Sequence, residues 1–89
     1  MKIYWDGKSK NIIGNNIKKL RKERNLTQKN LAEKLQLEGH EFSDLTILRI
    51  EQDKRFVPDY EVVILADFFC ITTDQLLKDN AENNSIKNM

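Results

Sequence analysis

The sequence predicts an all-α fold, five short helices in one 89-residue domain. Three observations predict it. Apolar residues recur three and four positions apart in successive stretches, the period of a helix buried along one side. Good helix-start residues, Thr27, Ser43, Pro58 and Thr72, stand just ahead of those stretches. Three Gly and one Pro are too few for the tight turns of a many-stranded sheet. The stretch from Thr27 to Glu51 organises the rest. Leu31, Ala32 and Leu35 share one side of its first half, and Ile47 and Ile50 share one side of its second. Two amphipathic helices on a common buried seam form a helix-turn-helix unit, and small Ala32 lets them approach closely.

Along the chain, residues 1–11 form an N-terminal extension with an Asp6-Gly7 turn signal. Ile3, Tyr4 and Trp5 are costly to leave in water. Packing on the domain, pairing with a second chain and a short strand all accommodate them. Lys8 and Lys10 suit a basic arm on a phosphate backbone and a frayed terminus equally. Residues 12–77 form the folded domain. Its first helix is predicted over 12–25, with Ile13, Ile17 and Leu20 inward and Lys18, Lys19, Arg21, Lys22 and Arg24 on the other faces. Asn25 stops it, and Leu26 enters the core. The second helix is predicted over 28–35. The connection that follows is longer than a tight turn needs; Gly39 marks its bend, and Leu37 and Phe42 are expected to anchor its ends. The third helix is predicted over 44–52, so the helix-turn-helix unit spans 27–52. A helix over 59–69 opens after Pro58 and turns Val62, Leu65, Ala66 and Phe69 inward. Thr72 caps the last, 73–77. Residues 78–89 are Asn-rich and polar, and are expected to be disordered.

Hydrophobic residues make up 39% of the chain and charged residues 33%, the balance of a globular domain in water. A single Cys excludes an internal disulfide and a cysteine-based zinc site, and a single His argues against any zinc site. No apolar run has membrane length and no signal peptide is visible, so a reducing cytoplasm is the expected location. The net charge of +1 conceals an asymmetry: residues 1–35 carry ten Lys/Arg against three Asp/Glu, and residues 36–89 carry five against eleven. A basic end suits phosphate, although charge runs are often only a solvated face. No metal, cofactor or catalytic set is expected. His40 beside Glu38 and Glu41 lacks the second histidine of a zinc-protease pattern. Cys70 is expected to be a small buried hydrophobe. No base is placed for a serine nucleophile, so the chain is not expected to be an enzyme.

Four blocks carry a family resemblance. They are Ile-Gly-Asn-Asn-Ile-Lys-Lys-Leu-Arg-Lys-Glu-Arg (13–24), Leu-Thr-Gln-Lys-Asn-Leu-Ala-Glu-Lys-Leu (26–35), Arg-Ile-Glu-Gln-Asp-Lys-Arg (49–55) and Leu-Ala-Asp-Phe-Phe-Cys-Ile-Thr-Thr-Asp-Gln-Leu-Leu (65–77). In this order they resemble the phage-repressor/Cro-like, or xenobiotic-response-element-like (XRE), helix-turn-helix family. The resemblance implies a five-helix lambda-repressor-like DNA-binding domain, with the helix over 44–52 in the major groove. It implies that Asp44, Leu45 and Arg49 face base edges. Gln28, Ser43, Gln52, Lys54 and Arg55 would contact the DNA backbone, with Gln28 also bracing the recognition helix. Lys19, Lys29 and Thr46 join them as expected backbone contacts. Arg21 and Glu51 would form a partly buried ion pair between the first and third helices.

The partners so implied are double-stranded DNA and a second copy of the chain, with half-sites about 34 Å apart. The expected role is that of a small bacterial or phage-type transcriptional regulator, a repressor that occupies a promoter. Apolar surface left at Phe68 and the last helix, joined by Tyr4 and Trp5, would suit the dimer contact. The alternative for Arg49 is a surface pair with Asp53, four residues on.

Three departures stand out. The connection before the third helix is about five residues longer than the family's usual turn. Asp44 would repel phosphate unless it accepts from a cytosine amino group. Cys70 stands where the family often has Gly. Asp44, the long connection and the acidic second half favour an alternative function, an antitoxin-like or other protein-interaction module that binds a toxin or another regulator.

Overall fold

The computed structural model describes residues 9–78. The expectations for Ile3, Tyr4 and Trp5 and for the polar tail past Lys78 lie outside those residues. Five helices follow in order: α1 Gly14–Glu23, α2 Gln28–Leu37, α3 Asp44–Glu51, α4 Asp59–Phe68 and α5 Thr73–Leu77. No strand occurs among the described residues. The helix count and order match the sequence pattern, and the ends shift by one or two residues. α2 runs two residues further, through Gln36 and Leu37, which shortens the connection before α3.

Side chains start three of the helices. Thr27 Oγ1 accepts from Asn30 N at 3.0 Å and Asn30 Oδ1 accepts from Thr27 N at 3.4 Å, two free amide groups satisfied reciprocally. Thr72 and Gln75 repeat the arrangement at α5, at 3.0 and 2.8 Å. Ser43 Oγ accepts from Thr46 N at 3.1 Å and so caps α3.

The first four helices end in one way. At α1, Leu26 N donates to Arg21 O and Asn25 N to Lys22 O. His40 and Gly39 do the same for α2, Lys54 and Asp53 for α3, and Ile71 and Cys70 for α4. Each closure uses one residue in the left-handed backbone region: Asn25 at φ 59°, Gly39 at 91°, Asp53 at 60° and Cys70 at 60°. Asn, Gly and Asp enter that region readily, and Cys does not. These reversals turn the chain sharply after each helix and fold the short rods onto one centre.

That centre is mainly apolar. Ile13, Ile17, Leu31, Ala32, Leu35, Ile47, Ile50, Val62, Leu65, Ala66 and Phe69 are buried with Phe42 and Leu76. Leu20, Leu26, Phe68 and Leu77 pack against it, partly buried. Two expectations fail here. Leu37 does not anchor the connection: it is 86% exposed, and Phe42 alone plugs the core, at 2%. Cys70 is exposed rather than a buried hydrophobe, because the reversal after α4 turns it outward.

Arg24 ties the C-terminal end of α4 to α1. Its guanidinium donates to Phe68 O at 3.3 Å and Phe69 O at 2.8 Å, and lies 5.2 Å from the Phe69 ring centroid. A cation there meets the negative end of the α4 dipole and a ring face together.

Cys70 is the one strained position among the four reversals. A left-handed L-residue costs roughly 1–2 kcal/mol, and glycine returns about 0.5–1 kcal/mol of that in lost chain entropy. Cys70→Gly should therefore raise the unfolding free energy by ~0.5–1 kcal/mol, read as a shifted urea midpoint with unchanged slope.

Candidate functional site

The site is built on α3, and α3 is held by one buried cross-brace. Arg21, on α1, points at Glu51, the last residue of α3. Its Nε donates to Glu51 Oε2 at 2.7 Å and its Nη2 to Oε1 at 2.9 Å, a two-point contact. Nη1 donates to Leu26 O at 2.8 Å. Gln28, at the start of α2, donates from Nε2 to Glu51 Oε1 at 3.0 Å. One carboxylate thus joins three helices. Both charged side chains are buried, at 10% and 4% exposure. The hydrogen bond to Glu51 raises the pKa of Arg21 from its ordinary value; burial opposes this and the charge of Glu51 adds to it. The expected Arg21–Glu51 pair and the bracing role of Gln28 both appear.

Ile47 and Ile50 turn inward, so the other side of α3 faces out. Leu45, Arg49 and Gln52 lie on it at positions i, i+4 and i+7, all exposed. Among the described residues Arg49 forms no ion pair, so the alternative pairing with Asp53 is not made. Asp44 is exposed at the first turn, where its Oδ1 accepts from Leu45 N at 2.9 Å. Thr27, Gln28 and Lys29 line one shallow cleft with Asp44, Leu45 and Leu48. Thr27 and Gln28 also line the adjoining cleft with Lys22 and Asn25. A continuous surface therefore runs from the C-terminal end of α1, across the start of α2, to the outer side of α3.

The long connection lies beside the start of α3. Gln36 Nε2 donates to Phe42 O at 2.6 Å, and Phe42 fills the core below. Residues 39–42 lie with Gln36 beside Ser43 and Thr46. Thr46 is half-buried, its hydroxyl 3.0 Å from that of Ser43. Lys54 is exposed in the reversal after α3.

Two expected contacts are placed elsewhere. Lys19 lines a groove of about 250 Å³ with Asn16, Ile71, Gln75 and Lys78, on the α5 side of α1. Arg55 is held by Glu61 at 2.6 Å and 3.2 Å and donates to Phe56 O. That pair raises the pKa of Arg55 against the opposing effect of burial. Arg24 is likewise spent on α4.

Lys22 belongs to the surface without having been assigned to it. Gly14, Lys18, Arg21 and Lys22 stand at i, i+4, i+7 and i+8 on α1, a single stripe that the spacing alone could have isolated. Among the described residues no group of three His, Cys, Asp or Glu side chains is placed to hold a metal ion. No helix there is long and apolar enough to cross a membrane.

Comparison with known families agrees with this geometry. The model of a helix-turn-helix domain family matches residues 14–82. The chain belongs to that helix-turn-helix family, and membership supports DNA binding as the coarse function. Neither a curated protein nor a solved structure is matched.

The brace gives a stability prediction. Glu51→Ala strands the buried Arg21 charge and should cost ~3–5 kcal/mol, measured by urea unfolding. Arg21→Met combined with Glu51→Leu should recover most of that loss, since no unpaired charge remains.

Proposed function

We propose that this helix-turn-helix protein binds double-stranded DNA sequence-specifically, with α3 in the major groove, and regulates transcription as a small repressor. The observation that carries the proposal is the exposed Arg49, which forms no ion pair among the described residues. It stands beside Leu45 and Gln52 on the outer side of a helix that buried bonds hold rigid. A major groove about 12 Å wide admits one helix, and a guanidinium that donates twice to guanine discriminates by ~1–3 kcal/mol. In this arrangement Arg49 reads guanine, Leu45 packs on a thymine methyl, and Asp44 accepts from a cytosine amino group. Lys22, Lys29, Ser43, Gln52 and Lys54 meet phosphates. Gln28 contacts the backbone with whatever bonding capacity Glu51 leaves it. Lys19 and Arg55 are left out, because one faces α5 and the other is paired with Glu61. A cytoplasmic location, where the DNA of a bacterium or phage lies, follows from this function.

The protein acts as a homodimer on a two-fold related site, with half-sites about 34 Å apart. Tyr60 and Val63, three residues apart on α4 and 63% and 46% exposed, support a protein contact. The same pair favours a second reading, an antitoxin-like module whose partner is another protein. Sedimentation of the chain alone, and with any co-purifying protein, separates the two.

Selection from random duplexes followed by anisotropy titration tests the main proposal. Arg49→Ala should relax preference at one base pair, a loss of ~1–3 kcal/mol on the selected duplex. Lys29→Ala should weaken all sequences alike and lower the salt slope by about 1. Identical behaviour of the two variants would contradict this division of roles, and wild-type protein that binds no duplex would contradict DNA binding itself.

A further inference from the structure

The end of α3 has a second attachment besides the cross-brace. Asn11 lies just ahead of α1. Its Oδ1 accepts from Ile13 N at 3.1 Å and Gly14 N at 2.9 Å, which turns the chain into the helix. Its Nδ2 donates to Ile50 O at 3.1 Å and Arg55 O at 2.9 Å, across 39 and 44 residues of sequence. Lys10 N donates to Asp53 O at 2.9 Å. The last turn of α3 and the loop that follows it are thus gripped at three carbonyls, those of residues 50, 53 and 55. Gly14 makes the close approach possible, because a Cβ there would collide with Ile50 O and Asp53 Oδ1.

Glu51 and Ile50 are neighbours on the last turn of α3. The first is fixed by Arg21 and Gln28, the second by Asn11. Two attachments on one turn, from different segments of the chain, restrain both the position and the roll of the helix. Arg49 precedes them directly, and Gln52 and Lys54 follow. Their direction relative to the rest of the surface depends on that roll.

We propose that Asn11 is a positioning residue for DNA recognition. Its side-chain amide sets the angle at which α3 presents Arg49, and the loop after it presents Lys54, to the duplex. The proposal rests on the DNA-binding function above. Asn11 touches no DNA in this account; it acts through the carbonyls of Ile50 and Arg55. A loose recognition helix still carries its charges, so affinity for any duplex survives while discrimination falls.

The two ends of the amide separate the roles. Asn11→Asp keeps an acceptor for Ile13 N and Gly14 N, but turns an oxygen toward two carbonyl oxygens where a donor stood. The experiment measures anisotropy on a selected duplex and on a scrambled one across a salt series, with melting by circular dichroism alongside. For Asn11→Asp, affinity for the selected duplex should fall about tenfold or more, on the scale of losing one base contact. Affinity for the scrambled duplex and its salt slope should stay at wild-type values. An equal loss on both duplexes, or an unchanged preference, would overturn the role of Asn11. Asn11→Ser, which carries no new charge and has too short a side chain for the long-range bonds, gives the same readout if the Asp variant does not fold. Wild-type protein without salt-dependent binding to either duplex would instead overturn the DNA-binding function.

Discussion

Glu51 is the residue on which the arrangement of the three N-terminal helices turns. α3 is only eight residues long, too short to be stable as an isolated helix. Its shape is imposed by Ile47 and Ile50 in the core, by the Ser43 cap, and by a carboxylate that receives three hydrogen bonds from α1 and α2. A buried ion pair adds little net stability, because removing two charges from water costs about as much as their attraction returns. Its value here is geometric. Apolar packing alone would tolerate a small rotation of α3, whereas a two-point guanidinium contact with a third donor from Gln28 tolerates much less. Asn11 then restrains the next carbonyl back along the same turn.

Charge is distributed to the same end. The basic first third of the sequence does not form one uniform cationic surface. Arg21 neutralises Glu51, Arg24 closes the end of α4, and Lys19 turns toward α5. What shares the surface with α3 is a smaller set, Lys29 beside it and Lys22 beyond the start of α2, with Lys54 in the loop after α3. Arginines here build the frame and lysines remain outside, with Arg49 the exception. That division follows their chemistry, since the planar guanidinium suits fixed multi-point contacts and the ammonium suits phosphate as a point charge. The reversals after α1, α2, α3 and α4 share one bonding pattern, so the path of the chain depends little on loop composition. This is how the long connection before α3 is absorbed: α2 extends, reverses at Gly39, and Phe42 anchors the remainder.

The helices, their inward residues and the Arg21–Glu51 pair were legible in the sequence, the helices from apolar period and caps, the pair from the family resemblance. What was not legible depended on direction or on distant partners. Leu37 looked like an anchor because it is apolar. Continuing the helix past Leu35 carries it to the opposite side from Leu31 and Leu35, into water. Cys70 has the composition of a core residue, but it occupies a reversal, and backbone geometry overrides side-chain preference there. Arg55 and Glu61 are six residues apart across a loop and Pro58, a spacing that no helical rule pairs. Asn11 is a small polar residue ahead of a helix, and nothing near it in sequence reveals partners 39 and 44 residues further along the chain.

The central claim is that one surface, from the end of α1 across the start of α2 to the outer side of α3, meets duplex DNA. Backbone amide chemical shifts, followed while a selected duplex is titrated into the labelled protein, test it most directly. The account predicts that the largest changes fall in residues 22–29 and 43–54, with α4 and α5 nearly unmoved and the changes reversed by added salt. Changes concentrated around Tyr60 and Val63, or in the groove between α1 and α5, with Arg49 unaffected, would contradict it.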